Sequence, residues 1–206
     1  MVEFASPNTN KPLHLGHLRN LALGESISRI LEFSGEKVIR ATINNDRGIH
    51  ICKSMLAYEK WGREQRPEKK KIKSDHFVGN FYVMFEKKKT KKLEEEAQEM
   101  LRKWEAGDRK TLLQWKVMKE WALEGFDETY KKFGIKHDEV FFESKLYQKG
   151  KEAILEGIKK KIFEIQDENI PVSAYDAECI RSGFILMWDY CPECHSSPYG
   201  LPKGIG

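Results

Sequence analysis

Residues 7–20 read Pro7-Asn8-Thr9-Asn10-Lys11-Pro12-Leu13-His14-Leu15-Gly16-His17-Leu18-Arg19-Asn20, and this stretch decides how the chain is organised. A short apolar segment, Val2-Glu3-Phe4-Ala5, precedes it and suits a buried strand. A helical run over 18–33 follows, with apolar residues at Leu18, Leu21, Ala22, Ile27, Ile30 and Leu31. A strand, a polar loop with two prolines, and a His-x-Gly-His opening a helix predict an anion site at the helix N-terminus. Backbone N–H groups there lack intrahelical partners, and the helix dipole favours negative charge. His14 and His17 add imidazole donors, and Gly16 between them lets a flat ring or an oxygen come close to the backbone. The same spacing also fits a partial metal site or two ordinary polar residues on one helix face.

Working outward, Gly35-Glu36 reads as a turn and 37–43 as a β-rich run ending in Asn44-Asn45-Asp46-Arg47-Gly48, with a further helix over about 49–61. The strand–helix–strand order predicts a parallel pair with a right-handed crossover. Ligands on open α/β sheets bind beyond the carboxyl ends of the strands, so the loops 6–13 and 44–48 are expected on one rim. Asp46 is read either as the cap of the following helix or as a ligand-binding group. His50, one turn into that helix, is read as packed or on the surface. No Gly-x-Gly-x-x-Gly follows a strand and no Gly-Lys-Ser/Thr loop occurs, which argues against ordinary dinucleotide and P-loop enzymes.

Further readings concern the middle of the chain. The charged run 63–71 is expected to be a solvated loop. The aromatic segment 75–86 is expected to pack inside an inserted subdomain. The lysines of 87–92 could meet RNA phosphates, or could open a solvated helix with pairs such as Lys92 to Glu96. From Leu93 to Phe133 the pattern is helical, broken at Ala106-Gly107-Asp108, with its aromatics assigned to the core. Val140-Phe141-Phe142 is expected to return to the sheet, followed by a helix over about 146–162.

The residues Glu3-Phe4-Ala5-Ser6-Pro7-Asn8, Lys11-Pro12 and Gly16-His17-Leu18-Arg19-Asn20 together resemble the first signature of the class I aminoacyl-tRNA synthetases, and specifically the arginyl-tRNA synthetases. Asn45-Asp46-Arg47-Gly48-Ile49-His50 resembles the same family at the end of its second strand. So does the segment 121–144, with Gly125-Phe126, Thr129-Tyr130, Phe133-Gly134-Ile135 and Glu143-Ser144. The resemblance covers roughly 2–163.

It implies an α/β fold: the first half of a Rossmann-like parallel sheet interrupted by a mainly helical insertion. The expected divisions are 1–61 for the first half of the catalytic domain, 62–136 for the insertion, 137–165 for the return, and 166–206 for an unassigned, unstructured or foreign tail. It also implies ATP-dependent activation of L-arginine and transfer to tRNA(Arg), with Mg2+ accompanying ATP. His14 and His17 would face the phosphates as catalytic groups, with Gly16 and Lys11 completing the ATP site and Glu3 and Asn8 holding arginine. The family's second half-sheet, anticodon-binding domain and preceding tRNA-contacting domain are not recognisable, so the chain is expected to need a missing C-terminal half for full activity. A non-catalytic remnant binding ATP or tRNA, and a small nucleotidyltransferase of related fold, are the alternatives; the long insertion and the 121–144 segment speak against the latter.

The bulk properties agree with that reading without selecting it. The 206 residues carry 36 Lys+Arg against 32 Asp+Glu, a net charge of +4 that permits an anionic partner but does not demand one. No apolar run approaches a membrane span and no signal pattern opens the chain, so a cytoplasmic location is expected. Four cysteines make no disulfide framework. Cys191 and Cys194, followed by His195, could give two ligands of a tetrahedral zinc site, but the set is incomplete and no resident zinc is expected.

Overall fold

The computed structural model describes residues 1–160 and 162. The chain divides into two units, the first Met1–Ser144 and the second beginning at Lys145. The first opens with β1 (Val2–Glu3), crosses through α1 (Leu15–Phe33) to β2 (Arg40–Asn44), and continues into α2 (Ile49–Trp61). Four helices follow: α3 (Pro67–Lys70), α4 (Ser74–Lys87), α5 (Lys91–Glu105) and α6 (Arg109–Phe133). β3 (Glu139–Phe142) then returns to the sheet. Helix α7 (Glu143–Lys159) begins directly after it and carries the chain into the second unit.

The sheet is parallel in the order β1-β2-β3, with Val2 opposite Arg40 and Ala41 opposite Glu139. This is the fold class expected from the strand–helix–strand order. β1 is short because Ala5 adopts a left-handed φ of 78°, which breaks the extended run. Pairing resumes beyond the kink, where Asn45 N–H donates to Pro7 O and Thr9 N–H to Asn45 O, each at 3.0 Å. The polar loop is thus stitched to the end of β2.

The larger core lies among α2, α4, α5 and α6, where Tyr58, Phe77, Phe81 and Trp121 meet edge to face. Most aromatics of 75–86 and 93–133 are therefore packed residues, but Phe133, assigned to the core from its spacing, is exposed, because α6 buries no side chain beyond Phe126. The charged run 63–71 is more ordered than a solvated loop: Pro67 is buried in the short helix α3, and Arg66 lies over Trp121 and bonds to the Tyr58 hydroxyl. Buried aromatic rings with polar edges hold a segment that composition alone assigns to solvent. Glu96 pairs with Lys60 across helices at 2.6 Å rather than with Lys92.

Helix α1 departs from its apolar pattern. It starts at Leu15, three residues before the periodic run, and buries only Leu21, Gly24 and Ser28. Ile27 and Ile30 of the expected stripe are 48% and 67% exposed. The reason is Phe4, whose ring lies where a Gly24 side chain would be: a Cβ there would fall 2.2 Å from Phe4 Cγ. The sheet-facing side of α1 therefore pairs Leu21 with the small residues Gly24 and Ser28, and the large residues of its second half point away. Gly24→Ala should lose about 1–3 kcal/mol of unfolding free energy through overpacking, against a helix-propensity gain of about 1 kcal/mol. A urea midpoint unchanged or raised would show that the ring relocates freely.

Candidate functional site

Helix α1 begins with a reciprocal cap made by the two histidines. His14 is the N-cap, with extended backbone (φ −126°, ψ 177°). Its Nδ1 accepts from Gly16 N–H at 3.1 Å, and its own N–H donates to His17 Nδ1 at 3.2 Å. One of the first-turn donors that the sequence leaves open for an anion is thus already satisfied by an imidazole. The flat ring that Gly16 admits is that of His14 itself, since a Cβ at Gly16 would lie 2.9 Å from His14 Cε1.

The cap also sets the chemistry of both rings. In each, Nδ1 is the acceptor, so the neutral tautomer carries its proton on Nε2. Burial, then the neighbouring His14, then the Lys11 ammonium pull the His17 pKa down from 6.5 to about 4. His17 is therefore a neutral ring at pH 7, with Nε2–H as its remaining donor. Two tilted imidazoles with centroids 4.0 Å apart, each with an Nε2–H, stand beside a lysine: a donor set suited to an oxyanion.

The loop leading to this cap is held by α2 and α4. Asn10, 1% exposed, donates through Nδ2 to His50 O at 3.0 Å. Lys11 Nζ lies 4.9 Å from the centroid of the Tyr82 ring. Pro12 packs onto Gly79, where a Cβ would meet Pro12 Cδ at 2.6 Å. Tyr82 OH is 3.1 Å from His50 Nδ1. These contacts have no sequence signal beyond Gly79 and Tyr82 standing three apart on one helix.

Of the residues singled out from sequence, Lys11, His14, Gly16 and His17 are brought together. Glu3 and Asn8 are both exposed. Glu3 accepts from Ser6 Oγ at 3.0 Å and lines a shallow cavity of about 220 Å³ between β1 and α1 with Asn20, Leu23 and Ile27. Asn8 forms the bridge to Asn45 through its backbone. Asp46 is neither of the things the sequence suggests. The α2 cap position is Gly48, at φ 98° and without a side-chain cap bond. Asp46, fully buried, instead accepts from Ser144 N–H and Ser144 Oγ at 2.8 Å each and from Lys119 Nζ at 3.2 Å. It ties the end of β2 to α6 and to the end of β3. Cys191 and Cys194 lie outside the described residues. Among the described residues no group of three or more His, Cys, Asp or Glu side chains could hold a metal ion, and no helix is long and apolar enough to cross a membrane.

Known proteins resemble this chain over most of its length. The family profile described as class I tRNA synthetases (R), catalytic domain, matches residues 1–179. An arginine–tRNA ligase of Treponema denticola is 56% identical over 172 residues, covering 82% of this chain and 29% of the relative. One from Bacteroides fragilis is 42% identical over 208 residues, covering 92% of this chain and 35% of the relative. The arginyl-tRNA synthetase structure from Thermus thermophilus superposes with a TM-score of 0.60 at 30% identity, over 75% of this chain and 26% of that one. The chain spans about a third or less of the length of these relatives. The similarity runs beyond residue 163, where the sequence signatures place its end, and takes in part of the tail expected to be foreign. Signatures detect only clustered motif residues, whereas similarity spread thinly along a segment appears only on alignment.

Proposed function

This chain belongs to the catalytic-domain family of the class I arginyl-tRNA synthetases, and from that premise we propose that it carries the nucleotide side of an arginine–tRNA ligase active site. In this reading ATP lies over the N-terminal turn of α1. The carboxylate of L-arginine attacks the α-phosphorus, pyrophosphate leaves, and the arginyl group then passes from the adenylate to the terminal adenosine of tRNA(Arg). The chain supplies no nucleophile. Its part is positioning and stabilisation of charge on the phosphate oxygens.

The observation that carries the reading is the reciprocal histidine cap. It fixes both imidazoles as Nε2–H donors beside Lys11, at the carboxyl end of a parallel sheet. Mg2+ enters with ATP, on its phosphate oxygens. Glu3 is the carboxylate for the arginine guanidinium, a planar fork that favours bidentate pairing with an acid, and Asn8 is its polar neighbour. We assign residues 1–61 and 137–165 to the catalytic domain, 62–136 to its insertion, and the protein to the cytoplasm.

Full aminoacylation, in this proposal, draws on regions of the relatives outside the matched stretch. The exposed Leu23, Ile27, Ile30 and Phe33 of α1 support that: neighbouring exposed apolar side chains on one helix mark a surface suited to a covering segment. Among the described residues, β1 pairs with β2 alone, which leaves its other edge for a further strand.

Separate calorimetric titrations with ATP, L-arginine and tRNA(Arg) test the assignment. ATP should give a saturable heat; the absence of saturation with all three ligands would reject it. Glu3→Gln should weaken arginine binding about tenfold, the scale of one charge-assisted hydrogen bond, with ATP affinity kept within about twofold. Equal losses for both ligands would remove Glu3 from the arginine site.

A further inference from the structure

Three consecutive loop residues are each set by a different contact from the helices behind them. Asn10 is bonded to the His50 carbonyl of α2, Pro12 is seated on Gly79 of α4, and Lys11 between them lies against the Tyr82 ring of α4. The first and third contacts hold the backbone; the second acts on a side chain. Among the described residues Lys11 makes no ion pair; its ammonium lies against the Tyr82 face and acts on His17 through its charge.

We propose that Tyr82 is a positioning residue for Lys11: its ring, locked by the hydroxyl contact to His50, holds the lysine ammonium at the mouth of the histidine cap. The proposal rests on the reading of that cap as the ATP phosphate site.

The geometry supports a lock rather than a chance contact. Tyr82 cannot swing freely, because its hydroxyl lies 3.1 Å from His50 Nδ1 and its ring meets the His50 ring edge-on at 5.9 Å. Its neighbours Phe81 and Phe85 are buried in the helical core, which fixes the rotation of α4. His50 is in turn fixed through its backbone carbonyl by Asn10. The contacts therefore close a ring, Lys11–Tyr82–His50–Asn10, that starts and ends on adjacent residues of the loop. A flexible four-carbon side chain that would otherwise sample many rotamers is biased to one of them by the ring quadrupole. The Lys11 charge is close enough to His17 to help keep that imidazole neutral. An aromatic segment that reads as mere packing thereby sets the placement of a cation at the site.

The test compares Tyr82→Phe and Tyr82→Leu, each alone and with Lys11→Met, by ATP titration and by proton NMR of the Lys11 side chain. Tyr82→Leu should weaken ATP binding about three- to fivefold, as loss of a cation–π contact at a partly exposed site implies. Tyr82→Phe, which keeps the ring face but loses the hydroxyl lock to His50, should fall between that variant and the parent, about twofold weaker than the parent. In the Lys11→Met background Tyr82→Leu should cost nothing further. Equal losses in both backgrounds would make Tyr82 a structural residue only and overturn the proposal.

The NMR readout needs no nucleotide. The Lys11 ε-methylene protons should show an upfield ring-current shift that Tyr82→Leu abolishes and Tyr82→Phe reduces. An unshifted methylene in the parent protein overturns the positioning role even if ATP binds. A shifted methylene without ATP binding rejects the nucleotide reading while leaving the Lys11–Tyr82 relation intact.

Discussion

Replacing Asp46 with alanine should lower the unfolding free energy by about 3–5 kcal/mol, the range for removing one partner of a buried ion pair. The carboxylate is fully buried and takes three donors: the Ser144 N–H, the Ser144 hydroxyl and the Lys119 ammonium. Alanine leaves Lys119, whose side chain is 14% exposed, without its counter-ion. It also leaves the Ser144 N–H without its acceptor at the junction of β3 and α7. Contact of Lys119 with the Trp115 face at 3.8 Å softens the first loss but cannot replace the second. Asp46→Asn preserves the shape and one acceptor, so its cost should be smaller, about 1–2 kcal/mol. Urea unfolding followed by far-UV circular dichroism reads both, and a change under 1 kcal/mol for alanine would contradict the tie. The larger consequence is local. Asp46 anchors the loop after β2, and through Asn45 that loop holds Pro7 and Thr9, so the alanine variant should also bind ATP more weakly than its stability alone explains.

His17→Ala should weaken ATP binding about 10- to 100-fold, the range for a hydrogen bond to a charged group. It should also remove part of the acid sensitivity of the fold. In the unfolded chain the imidazole protonates near pH 6.5, but in the folded chain only near pH 4. Between those values the unfolded state binds more protons, so stability is whole above pH 6.5 and falls as pH drops toward 4. Protonation also turns Nδ1 into a donor and breaks the bond from His14 N–H. After allowance for solvent screening, the loss by pH 4.5 should be about 1–2 kcal/mol. His137, likewise pulled down by burial, acts in the same direction. The His17 share is therefore the difference between parent and His17→Ala in the fall of the urea midpoint from pH 7 to 4.5. Parallel falls would show that His17 is not held neutral, and unchanged ATP affinity would remove it from the phosphate site.

The candidate site was legible in sequence to the extent that its residues are neighbours along the chain. Lys11, His14, Gly16 and His17 span a loop and one helical turn, so spacing alone brings them together. Asp46 shows where such reading stops. A carboxylate before a helix suits a cap, but the three donors that claim it come from residues 119 and 144, and no local pattern points to them. Tyr82 and His50 belong to the same class: each looks like ordinary packing until α2 and α4 cross behind the loop.

By itself the sequence determined the strand–helix–strand opening and its parallel pairing, the helices over 93–133, most of the aromatic core and the position of the paired histidines. Periodicity, turn residues and helix-end chemistry act over a few residues, and all of these features follow from them. Tertiary structure alone decided which face of α1 is buried, because Phe4 takes the place of a Gly24 side chain and leaves Ile27 and Ile30 outward. It alone decided that the histidines cap each other with Nε2–H left as donor, a matter of which nitrogen finds which N–H in space. And it alone decided that a tyrosine seventy-one positions from Lys11 stands beside that lysine, since contacts across such separations exist only once the helices have packed.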